Sequence, residues 1–400
     1  MYGKLNQCEL TPRRDIEDRI RRLQIEMVRQ GISFSIILHN VGLFYLTGSI
    51  QRGVLFLPAE GSPIYMVEKN VERASIETPL NIIPLQKKQD LRDILRNRIN
   101  QRSIGGMELD VLPVLVFEKW KNLLELENIV DISPSIKKLR SLKSPFEIDQ
   151  IRRSGQIVSR VFAKAGEIIQ ANDTEVGVAA ALEAEGRMFG HQGFLRMRGF
   201  NQEMMNIYVT HGYSGTIFSG CDVPISGFGT THAVAQGPSI QNLQQDTPIL
   251  VDYGGAYNGY VTDETRVFVV GSLKDLFRKA FEAARDMIDD VAAFGRVGVD
   301  TVEIYERALE LARQAHLEEH FMGYGRGKVR FIGHGLGLEI NEWPIITAAH
   351  HTVLEEGMVF AYEPKFIFPG EGAIGIEADF IVRKDGLERV TDFPLDIHYL

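Results

Sequence analysis

Apolar positions in RDIEDRIRRLQIEMVRQG recur at helical spacing and the run stops at Gly31, so a helix is predicted there. FSIILHN and GVLFLPAEGSPIYMVE follow as strands bounded by turn residues, and LRDILRNRINQ returns to the helical pattern. This alternation predicts an α/β domain over residues 1–140, with helices laid against a sheet. The rhythm changes after VDISPSIKKLRSLKSPFEIDQIRRSG. There Ser144 fits an N-cap, Pro145 the first helical turn, and Glu147 completes a capping box. Long helices are then predicted from Pro145 to about Ile169, Thr174 to Phe189, Lys274 to Phe294, and Thr301 to His316, the last capped by Asp300 with Glu303. Gly-rich antiparallel strand pairs stand between them, so residues 141–400 read as an α+β domain.

Composition narrows the partners. A chain of 400 residues, 44% hydrophobic and 24% charged, has the balance of an ordinary soluble globular protein with two or three domains. Its formal charge of −9 is mild for that length, and the basic runs Lys87-Lys88 and Lys137-Lys138 are short. No nucleic-acid partner is expected, because that would need a clustered basic face. No apolar run approaches the roughly 18 residues of a membrane span, and the first residues lack the apolar core of a signal peptide. Cys8 and Cys221 are too few and too far apart for a disulfide framework or a metal knuckle. The expectation is a cytoplasmic protein without a membrane partner.

The chemistry concentrates in two hairpins. In PILVDYGGAYNGYVTDETRVFVV two β-rich runs flank Tyr257-Asn258-Gly259, where Asn and Gly tolerate positive φ. Asp252 and Asp263 lie equally far from the Tyr257-Asn258 step, so they are predicted to face each other, give or take one residue for a bulge at Gly259. Residues so opposed have Cβ atoms about 4.5–5.5 Å apart. In MVFAYEPKFIFPGEGAIGIEADFIV, Glu363 and Glu377 are equidistant from Gly370 in the turn. Carboxylates that close repel unless a cation lies between them. Four of them match the charge of two divalent ions about 3.5–4 Å apart. Between the hairpins, His334 in FIGHGLGLEINEWP has glycine on both sides, which lets the backbone approach another group closely. Imidazole with carboxylates suits manganese, cobalt, zinc or iron better than magnesium or calcium, and two ions, manganese or else cobalt or zinc, are expected. Each residue alone has a bland explanation as a turn, edge or ion-pair residue; the five together do not.

The ordered set VDYGG, VTDETR, GHGLGLE, EPKF and GIEADF resembles the peptidase family of methionine aminopeptidase, prolidase and Xaa-Pro aminopeptidase. The resemblance extends over nearly the whole chain, including YLTGS at Tyr45–Ser49 and LRSLKSPFEIDQIR at the junction. It implies a creatinase-type N-terminal domain over 1–140 and a pita-bread catalytic domain over 141–400. It further implies that Asp252 binds one ion, that Asp263 and Glu377 bridge two, and that His334 and Glu363 bind the other. Hydrolysis by a hydroxide shared between the ions follows, with Glu363 moving a proton to the leaving nitrogen. The N-terminal domain points to the Xaa-Pro branch, and a homodimer is part of the same implication.

Three positions depart from the family pattern. Gln236 in AVAQG stands where a histidine is common, Asn341 stands for a second histidine seven residues after His334, and Gly375 replaces an arginine two before Glu377. Loss of one oxyanion donor can cost about 10²–10³ in rate. Candidate substitutes are His232, the amides of Gln236 and Asn341, and the cation of Lys365; RMRGFNQEM, with Arg196, Arg198, Asn201 and Glu203, is a candidate wall of the substrate pocket. The metal set therefore reads as intact and the substrate set as rebuilt, leaving a hydrolase or lyase of a non-peptide small molecule as the alternative to a peptidase. HLEEH at His316–His320 resembles an inverted-zincin motif but is read as a solvated helix end, and His350-His351 as a loop.

Overall fold

The computed structural model describes residues 9–95, 98–99 and 102–400. Its contacts divide the chain into two compact units, Met1–Arg140 and Ser141–Leu400.

The first unit runs α1 (Arg13–Arg29), β1 (Phe34–Ile37), α2 (Asn40–Thr47), β2 (Gly53–Pro58), β3 (Ile64–Val67), α3 (Val71–Glu77), β4 (Ile82–Pro84), α4 (Lys88–Leu95), β5 (Ile104–Met107), α5 (Val114–Leu124), β6 (Asn128–Asp131) and α6 (Ser133–Ser141). Six strands form one sheet in the order β4-β3-β2-β1-β5-β6. The hairpins β1–β2 and β2–β3 are antiparallel, and β3–β4, β1–β5 and β5–β6 are parallel, as helical crossovers require. Helix α1 buries Ile16, Ile20, Leu23 and Met27, one stripe at spacings of four, three and four. Gly31 follows it with φ +69°, a conformation that lets the chain turn back into β1. The helix expected from LRDILRNRINQ is present as α4 up to Leu95; residues 96, 97, 100 and 101 of that segment lie outside the described residues, as does Cys8.

The second unit opens with α7 (Pro145–Ala171), whose capping box forms as its sequence requires. Ser144 Oγ accepts from Glu147 N at 3.3 Å, and the Glu147 carboxylate accepts from Ser144 N at 3.0 Å. Then come α8 (Glu175–Met188), β7 (Ile207–His211), β8 (Ile249–Tyr257), β9 (Tyr260–Val269), α9 (Asp275–Phe294), α10 (Thr301–Gln314), β10 (Phe331–Gly335), β11 (Glu342–Thr347), β12 (Val359–Tyr362), β13 (Lys365–Phe368), β14 (Gly372–Gly375), β15 (Ala378–Arg383), β16 (Gly386–Arg389) and β17 (His398–Tyr399). One sheet has the order β17-β9-β8-β7, a second β11-β10-β12-β15-β16, and β13 pairs with β14 alone. Apolar faces of α7 and α8 pack on the first sheet through Val158, Val161, Phe162, Leu182, Val209 and Val251. Those of α9 and α10 pack through Phe277, Met287, Ile304, Phe360 and Phe380. Each sheet thus buries one face against helices and is free to aim polar side chains from the other. Among the described residues no helix is long and apolar enough to cross a membrane.

Candidate metal centre

The β8–β9 hairpin closes on Asn258 and Gly259, with φ +49° and +88°. Positive φ at both central residues is the two-residue turn whose twist matches that of the strands. It sets Tyr257 opposite Tyr260, and hence Asp252 opposite Thr265 and Asp263 opposite Gly254. The expected direct opposition of Asp252 and Asp263 is therefore corrected: the turn centre lies one residue further on, which slides the register by two. A slip of two keeps both carboxylates on one face, now as diagonal neighbours.

The second pair behaves differently. β12–β15 pairs Tyr362 with Ala378, and β13–β14 pairs Lys365 with Gly375, both in the register centred on Gly370. Glu363 and Glu377 fall in matched positions at the gap between these ladders. Pro364 has no N–H to continue the pairing. The two acids are taken up by other strands instead: Glu363 N donates to Ile332 O at 2.9 Å, and Glu377 N to Thr265 O at 3.2 Å. One hairpin is thus split, and its acids lie beside β10 on one side and β9 on the other.

His334 lies on β10 between two close backbone approaches. A Cβ at Gly333 would stand 2.3 Å from Ala361 O, and one at Gly335 2.1 Å from Trp343 O. Only glycine lets β10 fit between β11 and β12 with the imidazole turned to the acids. Its Nε2 is 3.8 Å from Asp263 Oδ2 and 3.8 Å from Glu363 Oε1.

Asp263, His334 and Glu377 each offer a ligand atom within 4.8 Å of the others. Asp263 Oδ1 is buried and has no hydrogen-bond partner, although its backbone N donates to Asp379 Oδ2 at 2.9 Å. Burial, then the charges of Glu377 and Asp252, push the Asp263 carboxyl well above its usual range. Burial likewise pushes Glu377 up to about 8, against the opposing pull of Lys365. Asp379 is raised by burial and by Glu264. Crowded buried acids of this kind are what a divalent cation relieves, and the orphaned oxygen is a ready ligand, so the residues present fit such an ion. Lys365 adds a cation of the protein's own, donating to Glu363 at 2.9 Å, Glu377 at 3.0 Å and Asp252 at 3.1 Å.

All five candidate ligands, four acids and one imidazole, border one cavity of about 290 Å³, together with Lys365, Asn341 and Tyr208 and an apolar wall that includes Phe331, Ile345, Pro224 and Ile225. Other candidates are placed elsewhere. His232 is exposed and, like Arg196, is not among the lining residues; Arg196 lies over the Phe194 ring at 5.0 Å. Gln236 is also behind the lining, where its amide accepts from Tyr208 Oη at 2.8 Å and donates to Glu203 O at 3.1 Å. Asn341 lines the cavity, but its amide clamps the Arg198 backbone, accepting from N and donating to O at 2.8 Å each. Each amide thus has its oxygen and one of its two N–H donors committed within the protein. Arg198 itself approaches Glu339 at 3.7 Å. His320 binds Ile367 O and packs on Phe368, and His351 pairs with Asp300; the ligand group found among the described residues, Asp263, His334 and Glu377, includes neither histidine pair. Tyr208, Thr265 and Asp379 were missed by the sequence reading. The last two could have been found from strand periodicity, each lying two residues beyond a candidate ligand; Tyr208 had no such signal.

The chain matches known proteins along most of its length. The model of Metallopeptidase family M24 matches residues 149–384, and that of the Creatinase/Prolidase N-terminal domain matches 19–142. A Xaa-Pro dipeptidase of Pyrococcus furiosus is 26% identical over 378 residues, covering 94% of this chain and 98% of that protein. Among solved structures, a Xaa-Pro dipeptidase from Bacillus anthracis superposes with a TM-score of 0.81 at 22% identity, covering 96% of this chain and all of that one (100%). An X-Pro aminopeptidase from Thermotoga maritima gives 0.78 at 21% identity, covering 94% and 100%. With its catalytic model matched over more than half of the chain, and an N-terminal model matched ahead of it, the protein belongs to Metallopeptidase family M24 and is a metal-dependent hydrolase.

Proposed function

We propose that the chain hydrolyses the peptide bond of an N-terminal Xaa-Pro unit, with two divalent ions, manganese first, held by Asp252, Asp263, His334, Glu363 and Glu377. The observation that carries this reading is the meeting of four carboxylates and one imidazole at a cavity wall, with Asp263 Oδ1 left unpartnered. Ions held there would supply a water acidified to near-neutral pKa and a Lewis acid for the scissile carbonyl. The protein's own residues do the rest. Glu363 Oε1 faces His334 at 3.8 Å and is placed to carry a proton toward the leaving nitrogen. Phe331, Ile345, Pro224 and Ile225 offer an apolar surface suited to a pyrrolidine ring and exclude water from it. The Tyr208 hydroxyl, held by Gln236, stands at the same wall, and burial keeps it protonated.

A second reading, a non-peptide amide or related small molecule as substrate, is favoured by one observation: the Gln236 and Asn341 amides are bonded into the protein. Metal-loaded protein should turn over some members of a panel of Xaa-Pro dipeptides and longer Xaa-Pro peptides. Asp263→Asn should lose both ion and turnover, the latter by about 10²-fold or more. No turnover of any peptide by protein with full metal content would favour the second reading. An Asp263→Asn variant that kept its ion and its activity would remove the site assignment.

A further inference from the structure

Lys365 opens β13, two residues after Glu363, and faces Gly375 across the ladder. A Cβ at Gly375 would lie 2.7 Å from Lys365 Cγ, so the missing side chain leaves the lane along which the lysine stem runs. The lysine is 3% exposed. Its three ammonium donors match the three carboxylates it meets, Glu363, Glu377 and Asp252, at 2.9, 3.0 and 3.1 Å. A buried ammonium so enclosed is a cation site already filled from within.

What it leaves is unequal. Asp263, His334 and Glu377 still converge within 4.8 Å, Glu363 keeps Oε1 near His334, and Asp263 Oδ1 has no partner. Asp252 has Oδ2 on the lysine, as Glu363 and Glu377 each have Oε2, but it lies outside the converging set. Two divalent ions would already balance Asp252, Asp263, Glu363 and Glu377, and an ammonium added among the same oxygens overshoots that balance. Either the ammonium moves or the second ion stays out.

Resting on the metallopeptidase reading above, we propose that Lys365 is an internal competitor for the second divalent ion. The centre then has one tight site at Asp263, His334 and Glu377, and one weak site at Asp252 that fills only by displacing the ammonium. Glycine at 375 is what makes this competitor possible. Occupancy of the weak site becomes a property of the ion concentration around the protein, while the tight site stays filled.

The test is metal binding, read without activity. Full-length protein stripped with a chelator is titrated with manganese by calorimetry, and metal content is measured after desalting, for the wild type, Lys365→Met and Lys365→Gln. The wild type should retain one ion, with a second binding at least about 100-fold more weakly. In Lys365→Met and Lys365→Gln the second ion should tighten by about tenfold or more, and two should survive desalting. Two ions of similar affinity in the wild type would overturn the proposal, whether or not the variants fold. So would folded variants, judged by circular dichroism, whose second ion binds no more tightly. Retention of no ion by any of the three would instead overturn the metal-centre reading on which this one stands.

Discussion

Asp263 is approached on two sides and left open on a third. Its backbone donates to Asp379, its Oδ2 faces His334, and its Oδ1 points into buried space without a partner. His334 is held by its neighbours' lack of side chains, and this gives a stability prediction. Gly335→Ala would drive a Cβ to 2.1 Å from the Trp343 carbonyl, a backbone atom that cannot rotate away. We expect a loss of about 1–3 kcal/mol, read as a lower urea midpoint, with weaker metal retention because β10 shifts. His191 gives a pH prediction away from the acids. Its Nε2 donates to Gly254 O at 2.9 Å while Nδ1 accepts from Gly193 N at 2.9 Å, so the buried ring is complete when neutral. Burial lowers its pKa, outweighing the bond to Gly254. The folded state then binds fewer protons than the unfolded one. Its contribution is fully present above the unfolded pKa of about 6.5 and is lost as the pH falls from there through the folded value. Urea midpoints at about pH 7.5 and about pH 5.5 should differ less in His191→Gln than in the wild type.

Among the elements, α7 was readable to its first turn, because a capping box is local: Ser144 and Glu147 find each other three residues apart whatever the rest does. Ser144→Ala should cost about 1 kcal/mol, checked by thermal or urea unfolding. The hairpins show where local reading stops. Gly370 as the centre of the second holds because one register runs from Val359↔Ile381 to Phe368↔Gly372. In the first, the choice between a turn centred on Tyr257-Asn258 and one on Asn258-Gly259 shifts the partner of Asp252 by two residues. The face survives that error because strands repeat every two residues. The splitting of β12–β15 from β13–β14 at Glu363 and Glu377 was not legible, since it depends on Ile332 and Thr265 taking those two N–H groups.

For the molecule as a whole, Asp252, Asp263, His334, Glu363 and Glu377 belong to one of its two compact units. An ion bound only by the folded state stabilises it by mass action, by about 2.7 kcal/mol when free ion is about 100-fold above its Kd. Calorimetry should therefore show the transition of the Ser141–Leu400 unit moving down on chelation and back on adding manganese. A transition that ignores both additions would mean that no ion is held. Residue order carried the helix stripes, the caps, the α/β and α+β rhythms, and the spacing of acids about two turns, since each depends on contacts between near neighbours. It also carried the ordered motifs by which the family is recognised. Which groups touch across the fold came only from packing. The amides of Gln236 and Asn341 are bonded to Glu203 and Arg198, and Lys365 reaches Asp252, because loops and strands distant in sequence were brought within hydrogen-bond range. A side chain's partner is set by the three-dimensional placement of several segments at once, and no single stretch of chain contains that information.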